Sequence, residues 1–198
     1  GRESHMRRIS CVVVCLLVGG LLTAGCTTLP DSEIPENQIS AGGMWGGGWD
    51  ASGSAFGVEW EMALAEKMTI VPQIRRYQYS WEDDGDDWEE EEDGSGLGVG
   101  AEWRYYPTQA MNGFSVGVGI GIYPFAEWDW TEYDGNGKKV DEDDGDDVSF
   151  EVHAALGWTF RIGKSFAITP IFNAGTYISD SPEAGPWGGI GLNLSFGF

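Results

Sequence analysis

Eight stretches of this chain alternate large apolar residues with small or polar ones at a period of two, and that pattern restricts the fold more than any other feature. Successive side chains leave a strand on opposite sides, so such alternation marks strands whose two faces meet different surroundings. The clearest run, 148–162, sets Val148, Phe150, Val152, Ala154, Leu156, Trp158, Phe160 and Ile162 against Ser149, Glu151, His153, Ala155, Gly157, Thr159 and Arg161. Runs at 56–64, 97–105, 113–122 and 187–198 repeat it, and weaker ones at 38–47, 68–81 and 166–179 complete the set. Run 68–81 changes face near Arg75 and Arg76, which predicts a bulge there. Pro72 and Pro170 are awkward strand residues, because each forfeits a ladder hydrogen bond. No capped helical pattern follows residue 37.

The connections between these runs decide what kind of all-β fold they build. Short links ("AEK", "PTQAMN", "GKS") alternate with longer ones, two of them the acidic 82–96 and 132–147. That order fits an antiparallel up-and-down barrel with tight turns at one rim and long loops at the other. A soluble eight-stranded barrel would turn its apolar residues inward and cover its outside with charge. Here the second face is mostly Gly, Ser, Thr and Ala, and glycine reaches 31 of 198 residues. Such a face suits the cramped interior of a small barrel whose apolar side meets lipid. Aromatics gather near the strand ends (Trp45, Trp49, Tyr77, Tyr79, Trp81, Trp103, Tyr105, Tyr106, Trp128, Trp130, Tyr133 and Trp187), where membrane barrels place interfacial girdles.

The segment before the strands reads as an address. Residues 1–5 look like a tag remnant or an upstream extension. Arg7 and Arg8 then precede an uncharged apolar run at 9–22, too short for a stable membrane helix, and Thr23, Ala24, Gly25 and Cys26 follow. "LTAGC" resembles a lipobox, which implies cleavage before Cys26 and lipidation of that residue. Cys11 and Cys15 would leave with the signal, so Cys26 would be the one cysteine retained. The expected organisation is a removed segment 1–25, a lipidated tether 26–37 and a barrel 38–198. At the other end, "IGLNLSFGF" carries apolar residues at every second place back from Phe198, Phe196 among them. It resembles the C-terminal signal read by the machinery that inserts outer-membrane barrels. Together, 38–198 resembles the small eight-stranded OmpA, OmpX and opacity-type barrels. The resemblance implies a monomer in the bacterial outer membrane, with long loops outside and both termini in the periplasm.

Charge narrows the function. Asp and Glu number 32 against 11 Lys and Arg, a net charge of −21, which excludes a phosphate-binding nucleic-acid surface. Alternation turns Glu59, Glu61, Glu102, Arg104, Glu151, His153, Arg161 and one of Arg75 or Arg76 inward, where opposite charges must pair. That set reads either as a salt-bridged plug or as a gate whose partners exchange. His153 sits two residues from Glu151, yet no motif ties it to a nucleophilic Ser or Thr, so no catalytic residue is assigned. Residues 82–93 hold ten carboxylates in twelve positions, and "DDGDD" follows at 143–147. Asp83, Asp84, Asp86, Asp87, Asp143, Asp144, Asp146 and Asp147 are candidate ligands for Ca²⁺ or Mg²⁺, although the spacing is not that of an EF-hand. A solvated acidic surface explains the same residues. The expected role is non-enzymatic: envelope structure, surface interaction or narrow cation-favouring permeation. A lipid-modifying enzyme and a carrier of small hydrophobic molecules are the alternatives.

Overall fold

The computed structural model describes residues 34–48, 51–84, 88–178 and 185–198. Eight strands form a closed antiparallel barrel: β1 (Asn37–Gly48), β2 (Ala51–Ala65), β3 (Met68–Asp84), β4 (Trp88–Tyr105), β5 (Gly113–Asp134), β6 (Lys139–Ile162), β7 (Phe166–Ile178) and β8 (Pro186–Gly197). Each strand pairs with its sequence neighbours, and β1 closes on β8 from Gln38↔Gly197 to Gly48↔Trp187. Cys26 and the signal-like segment lie outside the described residues, as does Trp49. Pairing begins at Asn37, and Glu36 already accepts the Ala63 amide at 2.9 Å, so the barrel takes in the last residues expected in the tether.

The two faces are inverted relative to a water-soluble barrel. Phe125 is 70% exposed on the outer wall, Ile120 65% and Phe56 63%, whereas Glu61 and Thr69, which point inward, are each 0% exposed. Fully burying a large apolar side chain is worth about 1.5–3 kcal/mol, and more than twenty line this wall, so the solvent that fits it is lipid. β1, β7 and β8, at 12, 13 and 12 residues, are close to the length that crosses a bilayer. β3 to β6 run longer, at 17 to 24 residues. Their excess continues past the apolar belt as a four-stranded ribbon, with β4 and β5 paired out to Trp88↔Asp134.

The acidic segments expected as loops are therefore largely strand. Glu82↔Glu91, Glu90↔Glu132 and Asp129↔Asp144 are cross-strand pairs within the ribbon. The connection that remains between β5 and β6 is a turn in which Gly137 takes φ +71°.

The expected bulge at Arg75 and Arg76 is absent. Both residues pair in unbroken register, with Gly57 and Phe56 on one side and Gly98 and Leu97 on the other. The apparent change of face came from Tyr77, Tyr79 and Trp81, rings that share the inward face of Val71 and Arg75 in unbroken register, whereas Met68, Ile70 and Ile74 face out. The consequential bulge lies in β5. Pro124 and Phe125 fall between Tyr123↔Ser149 and Ala126↔Asp147, so one extra residue is inserted and the facing of everything beyond it reverses. Proline has no amide hydrogen to give the ladder and fits such a gap. Pro72 and Pro170 obey the same rule. The β2–β3 ladder skips the Pro72 position and the β6–β7 ladder skips Pro170, while each proline stays in register with its other neighbour.

Candidate functional site: a filled lumen and a two-faced ribbon

Strand alternation brings six of the seven sequence-assigned lumen residues into one network at mid-barrel. Arg104 on β4 is its hub. Its Nε donates to Glu102 Oε1 at 2.5 Å, Nη2 to Glu59 Oε2 at 2.9 Å and Nη1 to Glu61 Oε2 at 3.3 Å. Arg75, and not Arg76, is the second cation, with Nη2 donating to Glu59 Oε1 at 3.3 Å and Nη1 standing 3.6 Å from Glu151 Oε1. His153 places Nε2 3.1 Å from Glu102 Oε2 and Nδ1 2.6 Å from Glu151 Oε1. Both ring nitrogens thus face carboxylates, an arrangement that suits an imidazolium with two N–H donors. Every member of this network is at most 7% exposed.

Arg161 stands apart from the carboxylates. It donates to the Met111 carbonyl and to Gln38 Oε1, both at 2.9 Å, and reaches the network through Gln38, whose Nε2 donates to Glu61 at 2.6 Å.

Neutral residues that charge reasoning passed over complete the network. Thr69 and Tyr106 each donate to Glu61 Oε1 at 2.7 Å, Asn193 donates to Glu59 at 3.0 Å, and the Tyr123 hydroxyl donates to Glu151. Gln38, Thr69, Tyr123 and Asn193 could have been found by carrying the alternation through every strand without regard to charge. Tyr106 could not, because it lies in the β4–β5 turn. That turn folds under the barrel with Tyr106 1% and Met111 0% exposed, and closes the short-turn end.

Above the charges the lumen is filled by rings. Tyr77 contacts Tyr79, Tyr123 and Tyr177, and Tyr177 stacks on Trp187 with centroids 5.8 Å apart. Tyr77 and Tyr79 lie over the cross-strand Gly96 and Gly94, where any Cβ would collide with the ring. Tyr77, Tyr79, Tyr106 and Trp187 therefore fill the barrel and do not belong to the interfacial girdle expected of them. Trp45, Trp103 and Tyr105 do face outward. At the level of Glu59, Arg75, Asn173 and Asn193 the interior retains a cavity of about 20 Å³, room for one water.

The ribbon has two unlike faces, set by the β5 bulge. The face continuous with the lumen carries Trp81, Trp128 and Trp130 beside Glu92 and Glu132. The opposite face, continuous with the outer wall, carries Glu82, Glu91, Asp93, Glu127, Asp129, Glu142, Asp144 and Asp146. Strand geometry thus divides the proposed metal ligands, with Asp143 on one face and Asp144 and Asp146 on the other. Asp83, Asp84 and Asp147 lie on strands, and Asp86 and Asp87 lie outside the described residues. Among the described residues, no three His, Cys, Asp or Glu side chains converge as a metal site. On the last strand, Phe196 faces outward between Ile39 and Phe166, and the Phe198 amide donates to the Asn37 carbonyl at 2.9 Å.

An outward apolar belt around a filled polar lumen defines the small eight-stranded barrels of outer-membrane type. Among solved structures, the chain is similar to Ail, the attachment invasion locus protein of Yersinia pestis, at 11% identity over 83% of this chain and 99% of that one, with a TM-score of 0.50. Neisserial surface protein A (7% identity, 82% and 97% covered, TM-score 0.47) and OprG from Pseudomonas aeruginosa (12%, 83% and 98%, 0.44) are also similar. No family model and no curated protein matches the chain. At these identities the likeness is one of fold alone.

Proposed function

We propose that the protein is a non-conducting, non-enzymatic barrel of the bacterial outer membrane that holds its acidic ribbon at the cell surface for interaction. In this reading the ribbon points outward, both termini lie in the periplasm, and a lipidated Cys26 adds a second attachment. The observation that carries it is the filled lumen: a charge network, a stack of rings and an inturned β4–β5 loop succeed one another along the axis. Such a plug supports the structural alternative over the gate, since Arg104 alone would have to release three carboxylates to open a path. The ribbon supports surface interaction, because its outer face concentrates carboxylates that attract cationic partners and divalent ions over several ångströms.

Planar-bilayer recording of the refolded full chain tests the reading. The expected result is no conductance steps at any voltage that the bilayer survives. Reproducible cation-selective steps would replace the plug with a gate.

A further inference from the structure

The ribbon face continuous with the lumen interleaves indoles with its carboxylates. Across the strand register one row reads Trp81, Glu92, Trp130 and Asp143, and the row beneath it Tyr79, Gly94, Trp128 and Gly145. Glycines let two of the rings lie close to the sheet. A Cβ at Gly145 would meet the Trp128 indole at 2.8–3.0 Å, and one at Gly94 would collide with the Tyr79 ring. Trp81, Trp128, Trp130 and Glu132 are half-buried and Asp143 is exposed, whereas Glu92 is 4% exposed and accepts the Tyr79 hydroxyl at 2.5 Å. Among the described residues no strand stands opposite this face, because β1 and β7 stop at Gly48 and Ile178, and β2 and β8 begin only at Ala51 and Pro186.

We propose that this face binds an arginine-bearing segment of a partner polypeptide, with a guanidinium over Trp130 held by Asp143 and Glu132. The inference rests on the surface role proposed above and names the partner's chemistry and the face that receives it. Charge selects a cation, since Glu92 and Asp143 flank Trp130 and no basic residue stands in either row. The rings select among cations. A guanidinium is planar and weakly hydrated, so it stacks on an indole while forking to a carboxylate, whereas an ammonium is a compact, strongly hydrated point charge. The spacing agrees. Asp143 stands one strand from Trp130, about 5 Å away, and Glu132 two residues along β5 on the same face, about 7 Å away. Glu92, on the strand to the other side, adds charge from a buried position. Indoles that only braced the ribbon over its glycines would confer no preference for arginine.

Fluorescence anisotropy with the refolded full chain in phosphatidylcholine nanodiscs tests the site. The probes are labelled octapeptides in which glycine alternates with either arginine or lysine, at physiological salt. The arginine peptide is expected to bind at least tenfold tighter than the lysine peptide. Trp128→Leu/Trp130→Leu should abolish that preference and leave the affinity for the lysine peptide unchanged. Glu132→Gln/Asp143→Asn should weaken arginine-peptide binding at least tenfold. Asp129→Asn/Asp144→Asn, the same charge change on the outer face, should weaken it by less than threefold. Gel heat-modifiability confirms that each variant is folded, and the two carboxylate pairs decide the matter even if the tryptophan pair does not fold. Equal affinity for the two peptides overturns the proposal and leaves the surface role standing on summed charge alone. Equal losses in the two carboxylate pairs do the same. Binding of neither peptide overturns the proposal and the attraction of cationic partners together.

Discussion

His153 on β6 reaches Glu102 on β4, Nε2 to Oε2 at 3.1 Å, across an intervening strand that has only Gly119 at that level. A Cβ at residue 119 would run into the imidazole ring. Gly119→Ala is therefore expected to destabilise the barrel by about 1–3 kcal/mol, the usual cost of overpacking. His153→Ala should absorb part of that loss, and a double-mutant cycle on urea unfolding in lipid vesicles measures the coupling. Strictly additive effects would place the two residues out of contact.

Arg104→Met removes the cation shared by Glu59, Glu61 and Glu102. Breaking a buried pair by deleting one partner costs about 3–5 kcal/mol, and that loss is expected in the same unfolding measurement. Arg104→Lys should recover only a fraction, because a single ammonium cannot fork to three carboxylates as a guanidinium does.

Topology can be read from single cysteines. Asn136→Cys, in the β5–β6 turn, should be labelled by a membrane-impermeant maleimide on intact cells, and Lys164→Cys, in the β6–β7 turn, only after lysis. The reverse pattern would invert the orientation proposed for the ribbon.

The β5–β6 turn carries its own pH signature. The Lys138 and Asn136 amides each donate to Asp134 Oδ1 at 3.0 Å, and these bonds hold the Asp134 carboxyl below the ordinary aspartate range. A depressed carboxylate contributes order that is present in full above its ordinary pKa and is lost as pH falls through its lowered one. The Asn136 and Lys138 amide resonances should hold steady from neutral pH down into the ordinary carboxylate range and move only below it. Movement already near pH 6 would mean that these bonds do not form in solution.

Calcium should raise the melting temperature through the ribbon's summed charge. Because Asp143 faces away from Asp144 and Asp146, changing these three and Asp147 to Asn should reduce the calcium effect in proportion to the charge removed. Complete loss on that change alone would indicate a discrete metal site.

The strand number, the inverted faces and most of the lumen network were legible in the sequence, because alternation reports facing directly wherever a strand pairs without interruption. It failed where that premise failed. One extra residue at Pro124–Phe125 reversed the facing of Trp128 and Trp130 without altering the look of the sequence. Acid and aromatic residues then alternate along the ribbon as apolar and small ones do in the belt, but a run of carboxylates reads as loop when composition is weighed above period. Tyr77, Tyr79 and Trp187 were misplaced for a related reason. An aromatic near a strand end suits either a lipid interface or a glycine on the neighbouring strand, and only the register tells which. Tyr77, Tyr79 and Trp81 imitated a bulge after Arg75 and Arg76, because aromatic rings fill the inside of this small barrel as well as suiting its outside.

The interior bonds also bear on how long the folded protein lasts. The seam where the first and last strands meet is spanned from within: Ser40 Oγ donates to Ser195, Asn193 reaches past β1 to Glu59, and Arg161 crosses the lumen to Gln38. β8 therefore cannot peel away at low cost, since its departure would break the Ser40–Ser195 and Asn193–Glu59 bonds together with its backbone ladders to β1 and β7. Dissolution of the wall has to proceed through one concerted, high-barrier event with no graded fraying of an edge. The lifetime of the assembled protein is then set by an unfolding rate and not by an equilibrium.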